Sequence, residues 1–77
     1  MPSALHSPRY KRFLARLKQA RIDAGLTQVE VAKRLRRPQS YVSKSESGER
    51  RVDAVELCEF AKVYGTGIRF FLPDFPM

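Results

Sequence analysis

Apolar residues recur at helical spacing along most of this chain, and glycine or proline closes each stretch. Phe13, Leu14, Leu17 and Ala20 form the first stripe, while Arg9, Arg12 and Arg16 fall largely away from it. Ser7 can cap this helix and Pro8 suits its first position, so the pattern predicts a helix from Pro8 to Ala24, stopped at Gly25. A second helix starts at Thr27, which forms a capping-box pattern with Glu30, and buries Val31, Ala32 and Leu35. Arg36, Arg37 and Pro38 interrupt it, because proline fixes its own φ and disfavours helix in the residue before it.

A third helix, QSYVSKSES, has one firmly apolar inward residue, Val42, and ends at Gly48. A fourth is capped by Asp53 with Glu56; its apolar face is Ala54, Leu57, Phe60, Ala61 and Tyr64, with Cys58 beside that stripe as a small hydrophobe. Gly65, Thr66 and Gly67 reverse the chain, and Ile68 to Leu72 forms one more helical turn before Pro73. The expected fold is all-α, with five helices.

The polar third helix reads as a recognition unit rather than a packing unit. Gln39, Ser40, Ser43 and Lys44 share one face and carry a single charge. Such a face suits base edges in the major groove, where glutamine can read adenine, lysine can reach guanine and serine accommodates several bases. Charge distribution points the same way. The chain of 77 residues has net charge +7, but residues 1–51 carry +9 and residues 52–77 carry −2, so the basic surface coincides with the first three helices.

The ordered set ARLKQARIDAGLTQ, PQSYVSKSESGERR, DAVELCEFAKVYG and IRFFL resembles the Cro and phage-repressor type of helix-turn-helix, the XRE-like family, over roughly residues 13–72. The resemblance implies a compact, lambda-repressor-like five-helix DNA-binding domain with its helix-turn-helix at helices two and three. It also implies an ion pair between Arg21 and Glu46 that orients helix three, the alternative being Arg21 on a phosphate, and a phosphate contact from Gln28. Arg36, Arg37, Arg50 and Arg51 are expected to grip the DNA backbone. Tyr41 either presses on a phosphate or a thymine methyl, or packs on the edge of helix two. Family members commonly dimerise through their C-terminal end, where Phe70, Phe71, Leu72 and Phe75 crowd together; the alternative is that these residues complete the monomer core.

Two positions depart from the family pattern. Arg36 stands where glycine is usual, at a cost of about 1–3 kcal/mol if φ must be positive. Ser45 stands where an aromatic or aliphatic residue is usual, so burial worth about 1.5–3 kcal/mol is expected to be missing beside helix three.

Residues 1–7 read as a mobile arm and residues 8–77 as one domain, near the size at which a second copy helps stability. His6 in that arm reads as a solvated residue. A single cysteine without zinc-type spacing, no targeting signal and no apolar run long enough for a bilayer lead to a cytoplasmic protein of bacterial, archaeal or phage origin, with no membrane partner, metal or cofactor. No nucleophile has a base and no loop is built to cradle phosphate, so an enzyme is not expected. The expected function is a sequence-specific regulator of transcription, a repressor bound to double-stranded DNA as a homodimer. Alternatives are an antitoxin or restriction-modification controller acting on its own operon, or an adaptor that kept the fold and meets a protein partner.

Overall fold

The computed structural model describes residues 7–72. Four α-helices, α1 (Pro8–Asp23), α2 (Gln28–Leu35), α3 (Gln39–Ser47) and α4 (Ala54–Tyr64), are followed by a 3-10 turn at Ile68–Phe71. The fifth expected helix is thus that single tight turn. His6, Phe75 and nearly all of the proposed arm lie outside the described residues.

Local chemistry accounts for the boundaries. Ser7 Oγ accepts the Tyr10 N–H at 3.1 Å, and Pro8 follows at the start of α1. Both capping boxes are closed: Thr27 with Glu30 at 3.1 and 2.8 Å, and Asp53 with Glu56 at 2.8 and 3.1 Å. Each satisfies two N–H groups that a helix start would otherwise leave unpaired. Gly48 and Gly65 take left-handed conformations, φ 87° and 67°, at the ends of α3 and α4.

Arg36 does the same at the end of α2, with φ 58° and ψ 46°, and it is the one non-glycine with positive φ among the described residues. The conformation lets the Arg37 N–H reach back to the Ala32 carbonyl at 3.0 Å, closing α2 and starting the turn into α3. The turn is therefore the usual one, made by a residue that carries a Cβ.

Every element sends one completely buried apolar side chain to the centre: Leu17, Val31, Val42, Phe60 and Phe71. Burial of such a side chain is worth about 1.5–3 kcal/mol, so no helix is dispensable. Phe60 stacks on Tyr41 and Tyr64, at centroid distances of 6.0 and 5.9 Å, and Phe71 meets Phe13 at 6.5 Å. Tyr10 adds a polar strut that the apolar stripe of α1 did not announce, its hydroxyl accepting the Val52 N–H at 3.2 Å.

Three expectations about packing are corrected. Cys58 is exposed rather than packed beside the α4 stripe, and Ala54, at the first helical position, is also exposed. Ser45 leaves no unfilled side on α3. It is completely buried, donates to the Tyr41 carbonyl at 2.7 Å and accepts from Arg50 Nη1 at 3.3 Å, so hydrogen bonds stand where apolar burial was expected.

Because a left-handed residue with a Cβ is strained by about 1–2 kcal/mol, Arg36→Gly is expected to raise stability by about 1 kcal/mol after the entropy cost of glycine. In a thermal melt this would appear as a Tm increase of roughly 4–8 °C. An unchanged Tm would mean that contacts of the Arg36 side chain offset the backbone cost.

Candidate nucleic-acid interface

α3 stands on a relay of side chains that begins in α1. Arg21 Nε donates to Glu46 Oε2 at 2.6 Å and Nη2 donates to Oε1 at 3.1 Å, while Nη1 holds the Leu26 carbonyl at 3.1 Å. Only 13% of the arginine side chain and 5% of the glutamate side chain reach solvent. The pairing raises the Arg21 pKa, chiefly through the Glu46 hydrogen bond and against desolvation. Two bonds from a rigid fork fix the rotation of α3 about its axis as well as its distance from α1.

The relay continues outward. Gln28 Nε2 donates to Glu46 Oε1 at 3.0 Å, and Gln39 Nε2 donates to Gln28 Oε1 at 3.2 Å. A carboxylate only accepts, so Gln28 must turn its NH2 to Glu46 and its carbonyl to Gln39. Gln39 must in turn spend one N–H on Gln28. What it retains for solvent is one N–H and its Oε1.

Around Gln39, Ser40 and Lys44 are exposed and Ser43 is half-buried, so the four residues of the predicted face lie on the outer side of α3. Arg36 and Arg37 are exposed in the turn before it, and Arg51 is exposed in the loop after it with its guanidinium 4.8 Å from the Tyr10 ring. Gln28 is half-buried at the first position of α2.

Two residues expected on the DNA backbone are held inward. Tyr41 is only 9% exposed, because its ring stacks on Phe60 of α4 within the core rather than on the edge of α2, and its hydroxyl is buried without a partner. Arg50 makes a two-pronged pair with Glu56 at 3.1 and 2.8 Å and lies 4.3 Å from the Tyr41 ring. The spacing of the α4 capping box showed Glu56 as a cap; that the same carboxylate also receives Arg50 depends on how the loop folds back, which helical periodicity does not encode. The pair lowers the Glu56 pKa from 4.5, first through the Arg50 hydrogen bond and further through the Asp53 N–H, while burial opposes it.

At the C-terminal end, Phe71 is completely buried in the monomer core and is removed from the expected dimer surface. Phe70 is half-buried beneath the Arg16 guanidinium at 4.9 Å. Leu72 is 36% exposed, and Ile68 and Val55 are exposed at 38% and 69%.

The comparisons with known proteins meet this geometry directly. A helix-turn-helix domain family matches residues 12–69, from the first buried stripe to the 3-10 turn. The chain belongs to the XRE-like helix-turn-helix family. It is similar to the solved structure of an XRE-family like protein from Pseudomonas syringae pv. tomato str. DC3000, with 44% identity, a TM-score of 0.81, and coverage of 94% of this chain and 88% of that one. No curated protein matches at a significant level. Membership supports a DNA-binding regulator, and no helix among the described residues is long and apolar enough to cross a membrane.

Removing the centre of the relay tests its structural weight. Glu46→Ala leaves the Arg21 charge shielded and unpaired, a change expected to cost about 3–5 kcal/mol. Urea unfolding would read this, and a loss below about 1 kcal/mol would assign the helix orientation to apolar packing alone.

The second pair has a pH signature. A lowered Glu56 pKa means the folded state favours the carboxylate, so that stability is complete above the ordinary value of 4.5 and fades as pH falls through the lowered one. Glu56→Gln keeps an oxygen for the cap and removes the charge. Its urea midpoint should fall less than that of the wild type between about pH 5 and pH 3; parallel falls would rule Glu56 out as a source of acid sensitivity.

Proposed function

We propose that this protein is a sequence-specific regulator of transcription that reads double-stranded DNA with α3 in the major groove, and that it acts as a homodimeric repressor at a near-palindromic operator. The relay from Arg21 to Gln39 carries this reading. It is a costly arrangement of buried charge and directed amides that ends on an exposed side chain, which packing alone does not require.

Gln39, Ser40, Ser43 and Lys44 meet bases, and Gln28, Arg36, Arg37 and Arg51 hold phosphates. Gln28 has one N–H left after its two internal bonds, together with the free N–H groups and dipole of the α2 start, all favourable to an anion. Phosphate contacts provide affinity and register without sequence information. Specificity then falls on α3. Two copies present their recognition helices about 34 Å apart, one turn of the duplex, and occupation of a promoter suffices for repression. The exposed Leu72 and the half-buried Phe70 are the remaining candidates for the contact between copies, and a further protein partner would act through regulation of that pairing.

The polarity of the relay sharpens the choice of base. One donor and one acceptor on Gln39 complement the N7 acceptor and N6 donor of adenine, whereas guanine presents two acceptors in the groove. Selection from a random duplex pool at near-physiological salt should enrich a palindrome with adenine at one position of each half-site, bound about a thousandfold or more tighter than scrambled DNA. Gln39→Ala should lose about 1–3 kcal/mol and relax the preference at that position alone. If Gln39→Ala left both affinity and preference intact, the proposed orientation of α3 would be wrong.

A further inference from the structure

Two arginines converge on one aromatic ring beside α3, and of the two only Arg50 makes an ion pair. The Arg37 guanidinium lies 4.6 Å from the Tyr41 ring centroid and that of Arg50 lies 4.3 Å from it. Arg50 is committed to both oxygens of Glu56 and to Ser45 Oγ. Arg37 is exposed in the turn and, among the described residues, makes no ion pair, although its charge also acts on Glu56. The ring itself cannot drift. It is buried, stacked on Phe60 at an interplanar angle of 18°, and carried in the first turn of α3.

We infer that Tyr41 is a positioning residue that acts through Arg37, holding its guanidinium beside the first turn of α3 for a DNA phosphate. The inference rests on the DNA-reading function proposed above. A free arginine side chain loses rotamer freedom when it docks on a phosphate, and a stack that orders it beforehand removes much of that loss. Arg50 shows why the platform is needed twice in different ways: one guanidinium is fixed by the ring and a carboxylate and serves the fold, the other by the ring and its backbone turn, leaving its donors outward. The hydroxyl plays no part, since it is buried without a partner. The planar face is what the arrangement uses.

The test titrates the full chain and its variants with the selected operator duplex over a range of salt. Arg37→Lys keeps the charge and loses the planar stack, so it should keep the salt slope and bind about three- to tenfold more weakly. Tyr41→Phe keeps the ring and should bind as the wild type does. Tyr41→Leu should weaken binding by a similar factor, and combining it with Arg37→Lys should add little, because both remove one interaction. Should Tyr41→Leu fail to fold, the decision falls on Arg37→Lys and on the ring-current shift of the Arg37 side-chain protons, which should be present in the wild type and persist in Tyr41→Phe; its absence from the wild type would also overturn the inference. Operator affinity unchanged by Arg37→Lys, or lost in Tyr41→Phe, would overturn the inference. A wild-type protein that prefers no duplex would instead overturn the DNA-reading function itself, before any variant is compared.

Discussion

The Arg21–Glu46 pair is the constraint on which the remaining geometry depends. α3 is short and weakly apolar, and Val42 is its one completely buried aliphatic side chain. Apolar contact would hold such a helix near the core without fixing its rotation. The forked arginine supplies the missing angular constraint, and it does so from α1, the longest helix. From that anchor the rotation of α3 determines which residues reach solvent. The same carboxylate then dictates the orientation of Gln28, and Gln28 that of Gln39. A buried charge therefore sets the hydrogen-bonding polarity of an exposed side chain two residues further along the relay.

The opposite side of α3 is organised by a second set of polar and aromatic contacts. Ser45, Arg50, Glu56 and Tyr41 tie α3 to α4 through directed bonds and ring faces rather than through aliphatic volume. The two systems divide the work. One faces α1 and the turn; the other faces α4. Between them, the loss of a large apolar residue at position 45 is made good by an arginine that spends its donors internally. That explains why a basic residue in a loop beside the polar face of α3 is not automatically a hand for phosphate.

Much of the fold was legible in the sequence because helix ends are local. Ser7, Thr27 and Asp53 define starts within a few residues, and Gly48 and Gly65 define stops. The helix-turn-helix was legible for the same reason, from a capping box, a break at Pro38 and a polar helix after it. Legibility ended where two elements distant in sequence choose between partners. Tyr41 looks amphipathic on a helical wheel, and only Phe60 decides that it faces the core. Arg50 looks like its neighbour Arg51 until Glu56 claims it. Phe71 and Phe70 are adjacent and chemically identical, yet one completes the core and the other lies under Arg16. Pairing Arg21 with Glu46, 25 residues apart, came from family resemblance, since no periodicity links them.

The two left-handed residues that bracket α3, Arg36 before it and Gly48 after it, have an informational consequence. They hold the helix to nine residues, about 13.5 Å of axis. On the DNA-reading function proposed for it, that length spans the rise of about four base pairs, and four base pairs define one address in about 256. A genome offers about a million or more competing sites, so a lone copy would find its word repeated thousands of times. On that proposed function, the brevity of α3 makes the meaning of any site depend on a second reader, which is what the proposed pairing of copies would supply.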